Sequence, residues 1–429
     1  VVAAAVVAAA TAAATTKSVQ NCTEKAGSYN PAFLFLRFEK FMRAPFRISG
    51  LTRSVVTSLT LVAAAMAAHA QSAPAPTRSA ATVGSAKSVV VAEGLEHPWA
   101  LAFLPGEPAG RMLVTERAGR MRIVSNDGQV GAPLSGLPSV HAVNQGGLLD
   151  VVAAPDFQRS RTIYFTFAQP ASGGARTAVA SAQLGDNKLE NVKVIFAQAD
   201  VVSGGHHFGS RIAIARDGSL FITTGERYTE KDRAQSLQSH LGKVIHINAD
   251  GSVPKDNPFA GSATARGEIW SYGHRNMQGA AIHPVTGRLW THEHGPRGGD
   301  EINIAQAGKN YGWPVIGYGI DYSGLRMHEA TAKAGMEQPL HYWLPSIAPS
   351  GMAFYTADRF PQWKNSLFVG ALAGEHLARL TLDGERVISE ERLLAERKER
   401  IRDVRQGPDG YIYAVTDEKN GKLLRVSPN

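Results

Sequence analysis

The 429-residue chain has a single cysteine, Cys22, and it lies in an N-terminal stretch that carries no fold pattern. Disulfides, thiolate metal sites and cysteine nucleophiles are therefore excluded from the rest, whose stability must come from core burial. Large charge excess is lacking too. The formal net charge is +8, but residues 1–70 hold seven Lys or Arg against two Asp or Glu, which leaves 38 basic against 35 acidic side chains beyond them. A balance of +3 excludes a nucleic-acid interface as the expected function. No G-x-G-x-x-G turn, phosphate-cradling G-x-x-x-x-G-K-[ST] loop or G-x-S-x-G elbow is present, which disfavours nicotinamide cofactors, nucleotide hydrolysis and serine hydrolysis.

No apolar run reaches the ~20 residues of a membrane span. The nearest, Val55–Ala68, follows Arg43, Arg47 and Arg53 and ends at Ala68-His69-Ala70. A basic region, an apolar segment and a small-x-small site together read as a secretory signal peptide over 42–70, cleaved near Ala70, so a periplasmic or secreted protein without stable membrane insertion is expected. Residues 1–41, alanine-rich and patternless, are set apart from the fold, and 71–86, rich in Pro, Ala and Ser, read as a flexible linker. Order is expected from Lys87.

Long helical spacing is also missing, whereas short apolar or alternating runs bounded by glycine recur to the C-terminus. Arg111–Glu116, Thr162–Phe167, Ser219–Thr224, Arg288–His292, Ser366–Gly370 and Tyr411–Thr416 each begin a hairpin. Six hairpins, at about 57 residues per unit, point to an all-β, six-bladed β-propeller with four-stranded antiparallel blades over 87–429. Closure is expected from Ser88–Ala92 pairing with the C-terminal strands. A pair of β-sandwiches fits the strand spacing as well, and the repeat period favours the propeller.

Four stretches carry polar groups suited to chemistry. Gln145 precedes paired glycines in NQGGLLDVVAAPD, where backbone can approach a ligand closely. In SGGHHFGSR, His206 and His207 stand in a glycine-rich loop; adjacent side chains on extended backbone point to opposite sides, so one of them is structural or solvated and the other can take a proton near neutral pH. From Glu268 to Pro314, Arg275 and Asn276 offer clustered donors, and Asp300 and Glu301 with nearby carbonyls form a hard-oxygen group of the kind calcium takes. His292 and His294 open a zinc alternative without the H-E-x-x-H helix pattern. In ERIRDVRQGPDG, Arg400 and Arg402 share a strand face and need anionic company.

Taken in order, QGGLLDVVAAPDF, GGHHFGSR, YGHRNMQG with HGPRGGDEIN and NYGWP, and RIRDVRQGPDG resemble the soluble quinoprotein glucose/sorbosone dehydrogenase family, especially its periplasmic aldose sugar dehydrogenases. The resemblance runs from about Leu95 to the C-terminus. It implies pyrroloquinoline quinone (PQQ) and Ca2+ held near one end of a propeller axis, with aldoses oxidised to aldonolactones and electrons passed to an external acceptor. It implies His207 as catalytic base and Gln145, Arg275, Asn276, Arg400 and Arg402 as quinone contacts, with Arg275 also steadying charge on the reduced quinone. Gly295 and Pro296 fall where carbonyls hold the cofactor-associated calcium, and Glu301 with Tyr311 resembles a second, structural calcium site. Ala373 departs from the family at a position where some members place a quinone-contacting lysine. A calcium-dependent propeller lactonase and a catalytically silent binding propeller are the alternatives.

Overall fold

The structure is a computed structural model that describes residues 77–78, 80–106 and 110–429. The expected leader and signal peptide, with residues 71–76 of the expected linker, lie outside them.

Strands rich in Val, Ile, Phe and Ala, punctuated by glycine turns, build six antiparallel sheets that follow one another along the chain. Blade one is Pro98–Phe103, Met112–Glu116 and Arg120–Val124. Its outer edge is continued by a bridge between Val124 and Val130 and by main-chain bonds from Gly131 to Ile123 and Leu134 to Met121. Blades two to five run from Leu148 to Ala197, Gly209 to Tyr272, Met277 to Trp343 and Pro349 to Leu393, with four strands each from this order of the chain. Blade six is Ile401–Gln406, Ile412–Thr416 and Gly421–Pro428, completed by Ala86–Leu95 from the start of the fold. The first and last strands thus close the ring as the sequence predicts. The first strand of each blade packs against the first strand of the next, and apolar clusters fill the spaces between adjacent sheets.

The segment read as a linker is partly ordered. Thr77 bridges His341 in parallel, and Thr82–Val83 pairs with Glu391 and Arg392 along the outside of blade five. An outer blade edge presents unpaired N–H and C=O groups to any extended segment, and such pairing needs no apolar side chains. Composition is blind to it.

One irregularity recurs in every blade. The pairing of the innermost strand with its neighbour slips at Pro98/Ala100, Leu148/Val151, Gly209/Ile212, Met277/Gly279, Pro349/Met352 and Ile401/Asp403. An extra residue at such a bulge re-aims side chains. Here the bulges form a ring around the axis at the starts of the inner strands.

Candidate active site

The bulges deliver Trp99, Asp150, Arg211, Gln278 and Arg402, and these five meet across the blades. Arg211 donates Nη1–H to Asp150 Oδ1 at 3.1 Å, Nε–H to the Gln278 carbonyl at 2.8 Å and Nη2–H to the Arg402 carbonyl at 3.2 Å. The guanidinium groups of Arg211 and Arg402 each lie 4.2 Å from the centre of the Trp99 ring, within range of a cation–π attraction. Beneath them, Asp150, Arg211, Asp403 and Arg405 alternate in a closed ring of ion pairs of 2.7–3.1 Å. That ring joins blades two, three and six.

Above Trp99 is a cavity of about 230 Å³ whose wall includes Arg117, Gln145, Asn276, Gln278, Arg400 and Arg402, with Asp417 as its carboxylate. Four of the expected quinone contacts, Gln145, Asn276, Arg400 and Arg402, are therefore brought to one space. Asn276 Oδ1 accepts from the Gly209 N–H at 3.1 Å and from Gln278 Nε2 at 3.2 Å, which commits its carbonyl side to the scaffold. Arg400 lies 3.6 Å from Asp417. Arg402 donates Nη2–H to Gln278 Oε1 at 2.6 Å, but its buried Nε has no partner among the described residues. Burial, with Arg211 nearby, pulls the Arg402 pKa down to about 9. Asp417 and Asp403 oppose that shift, but neither forms an ion pair with Arg402 among the described residues, so a buried cation without a direct anionic partner can receive one from a ligand.

His207 stands beside this cavity at the end of the loop before Gly209–Ile214. Its backbone N–H donates to Gln145 Oε1 at 2.8 Å, and its Nδ1 is 2.7 Å from Glu226 Oε2. Both side chains of the pair are buried, whereas His206 is exposed. The carboxylate fixes the proton on Nδ1 and leaves Nε2 as acceptor. Burial lowers the His207 pKa below the ordinary imidazole value against the opposing pull of Glu226, so the ring is neutral at pH 7 and ready to accept a proton.

Arg275, Gly295, Pro296, Glu301 and Tyr311 gather around a separate recess of about 20 Å³ that shares His294 with the cavity, room for one water-sized species. Arg275 is thus placed in the recess wall, and its Nη1–H donates to the carbonyls of His294 at 3.1 Å and Gly295 at 3.0 Å. The Gly295 carbonyl expected for calcium is shared with that guanidinium. Glu301 lies directly opposite Glu293 on the neighbouring strand. Burial, and then the Glu293 charge, raise its pKa well above the carboxylate range. Glu293 is held by His274 Nδ1 at 2.9 Å and by the Arg275 N–H. A buried carboxylate pair of this kind keeps a proton or takes a cation.

The structure specifies what two of the oxygen-bearing side chains do. Tyr311 spends its hydroxyl on the Ile304 carbonyl and the Gln306 N–H, so only its main-chain carbonyl is left to offer. Asp300, read as part of the hard-oxygen group, instead accepts from Gly295 N–H, Ser346 Oγ–H, Ile347 N–H and Ala348 N–H at 2.7–2.9 Å. Its pKa is pushed up to about 6 by burial, against those hydrogen bonds. It anchors the Gly295 corner to the 346–348 loop. His294 donates Nε2–H to the Pro349 carbonyl, and His292 is packed against Gly279. Among the described residues no three His, Cys, Asp or Glu side chains converge on a metal site, so a cation in the recess would draw on main-chain oxygens as well.

Sequence reasoning missed Glu226, Gln278, Trp99 and Arg117. Glu226 did leave a signal, an acidic residue two positions past the end of the strand Leu220–Thr224, which pairs with the strand that follows His207. For Gln278 and Trp99 the signal is the bulge, which strand periodicity does not reveal.

The closed propeller thus sets a basic cavity beside a buried histidine–glutamate pair, a place for an anion next to a proton acceptor. Residues 95–425 match the family model described as Glucose / Sorbosone dehydrogenase, and the chain belongs to that family. It is 48% identical over 344 residues to the aldose sugar dehydrogenase YliI of Escherichia coli (strain K12), covering 79% of this chain and 92% of that protein. It is 27% identical to quinoprotein glucose dehydrogenase B of Acinetobacter calcoaceticus, covering 76% and 84%. Among solved structures, the apo form of the soluble aldose sugar dehydrogenase from Escherichia coli superposes with a TM-score of 0.77 at 47% identity, covering 80% of this chain and all of that one. The PQQ-bound aldose sugar dehydrogenase from Streptomyces coelicolor does so with a TM-score of 0.64 at 27% identity, covering 82% and 100%.

Proposed function

We propose that the chain oxidises aldose sugars at the anomeric carbon to aldonolactones, using PQQ in the 230 Å³ cavity and calcium beside Gly295 and Pro296. The observation that carries this reading is the buried, under-neutralised Arg402 in a basic cavity next to the neutral His207–Glu226 pair. PQQ bears three carboxylates, and Arg117, Arg400 and Arg402 with the amides of Gln145 and Asn276 fit such a polyanion. The name of the Streptomyces relative records bound PQQ. Gly295 and Pro296 also line an open cavity with Ala348 and Ala373, the side on which the first calcium is proposed, which leaves the single-ion recess with Glu293 and Glu301 to a second cation held by Glu301 and the Tyr311 carbonyl. When bound, the quinone supplies a two-electron hydride acceptor and calcium a Lewis acid.

The protein's own part is binding and proton handling. His207 Nε2 takes the proton of the anomeric hydroxyl while the hydride leaves the same carbon, and Glu226 steadies the imidazolium that forms. Arg275 is close enough to the His294–Gly295 corner to hold those carbonyls in place, and any contact it makes to the quinone passes from that side. The electrons leave to an external acceptor.

The test is dye reduction by the purified mature chain, with and without added quinone and calcium, against a panel of aldoses. Turnover that needs both additions is expected. Failure to bind quinone overturns the reading and leaves lactone hydrolysis or binding alone as the role to assay. Arg402→Ala is expected to raise the quinone dissociation constant about 10- to 100-fold, the worth of a charge-assisted hydrogen bond, as read by absorbance titration.

The pH profile offers a separate check. Because the folded pKa of His207 lies below the usual imidazole value, the basic form persists as pH falls through 6.5. The acid limb of kcat/KM is expected below that point and not at it. Export through the 42–70 signal peptide is part of the same proposal; no helix among the described residues is long and apolar enough to cross a membrane. N-terminal sequencing of the exported protein should begin near Gln71.

A further inference from the structure

Next to His207 the backbone adopts a conformation that side-chain-bearing residues avoid. Arg227 and Tyr228 both have left-handed φ, at 64° and 67°, and two such residues in succession are held only when the surroundings over-determine them. The surroundings do so through Arg227, whose side chain is buried. Its guanidinium donates to the carbonyls of His206 at 2.8 Å, Ala175 at 2.6 Å and Gly204 at 2.8 Å, and lies 3.8 Å from the centre of the Phe208 ring. Four contacts from one side chain pin the turn to the loop that carries His207.

The product of that pinning is an exposed aromatic. Tyr228 is 49% exposed, and its ring meets His207 edge to face, with centroids 5.3 Å apart and planes at 84°. Its hydroxyl has no hydrogen bond among the described residues. A large aromatic left in solvent by a strained, clamped turn, against the base of the site, needs a reason beyond folding, since glycine would meet the backbone requirement at lower cost. We propose that Tyr228 is the aromatic wall of the sugar subsite. The apolar C–H face of a pyranose packs on the ring, and this sets the anomeric hydroxyl against Nε2 of His207. The inference rests on the sugar-oxidising reading above and adds the residue that selects the ring form of the substrate. Aromatic rings suit this task because they present a large, rigid apolar face at little entropic cost.

The experiment compares Tyr228→Gly and Tyr228→Phe with the unmodified protein, each loaded with quinone and calcium, in glucose turnover, quinone titration and thermal melting. Glycine relieves the left-handed turn, so the variant should melt no lower than the parent. Its KM for glucose should rise about tenfold, as for loss of an apolar contact, with kcat and quinone affinity within about twofold. Tyr228→Phe should keep the parental KM. An unchanged KM in Tyr228→Gly, or a KM rise matched by lost quinone affinity, overturns the assignment while leaving the sugar-oxidising reading in place. No glucose turnover by the unmodified, quinone-bound protein overturns both.

Discussion

His207→Ala is expected to lower kcat for glucose about 10²- to 10⁴-fold, the range of positioned general-base catalysis, with quinone affinity within about twofold. The expectation follows from geometry. Nδ1 is committed to Glu226 at 2.7 Å, and the backbone N–H to Gln145 at 2.8 Å, so the ring enters the site in one orientation with one free nitrogen. Alanine keeps the backbone donor and removes only the acceptor. Steady-state dye reduction beside quinone titration separates the two effects. Equal loss of quinone binding and turnover would instead make His207 a cofactor ligand without a proton role. Glu226→Gln gives a graded version. The amide oxygen can still accept from Nδ1, but the charge that supports the imidazolium is gone, and a loss of roughly 10- to 100-fold is expected.

Asp150→Ala is expected to destabilise the propeller by about 3–5 kcal/mol, the cost of breaking a buried ion pair from one side. Asp150 is fully buried. Its carboxylate accepts from Arg211 at 3.1 Å, Arg405 at 2.7 Å, and the Val151 and Ile212 N–H groups at 3.0 and 2.8 Å. Alanine leaves two guanidinium groups facing each other with Asp403 alone between them, and two N–H donors unpaired. The four-membered ring ties blade two to blades three and six, so the loss falls on the joints between sheets. Urea unfolding of the purified chain reads it as a lower midpoint at similar slope. A change below about 1 kcal/mol would place the ring among exposed pairs of little net worth.

The Arg211 and Arg402 pair shows how one floor serves both ends. Arg211 belongs to the ion-pair ring, and Arg402, on the same Trp99, has an Nε without a partner among the described residues. The Arg211 charge is paired within the protein, whereas that of Arg402 is left, under the proposed function, to an anionic cofactor.

The amino-acid sequence by itself determined the six hairpins, the strand that closes the ring and the four stretches that hold the site. All rest on local signals. Short apolar runs mark Ser219–Thr224 and Tyr411–Thr416 as strands wherever they lie, glycine turns bound them, and Gly-rich loops such as 203–209 announce close backbone approach. Only the tertiary structure decided which polar side chains meet. Arg402 and Gln278 reach the axis because a bulge in each inner strand turns them there, and Glu226 becomes the partner of His207 only because antiparallel pairing sets the start of Gly209–Ile214 beside the end of Leu220–Thr224. Asp300 reads as a ligand in sequence and is an anchor in space, since four N–H and O–H donors from 295 and 346–348 converge on it. Arg275 joins the recess wall, and Thr82–Val83 joins a blade edge that no local pattern advertises. The physical reason is common to all of them: side-chain period is a property of a few neighbouring residues, whereas bulges, blade contacts and edge pairing are agreements between segments far apart in the chain.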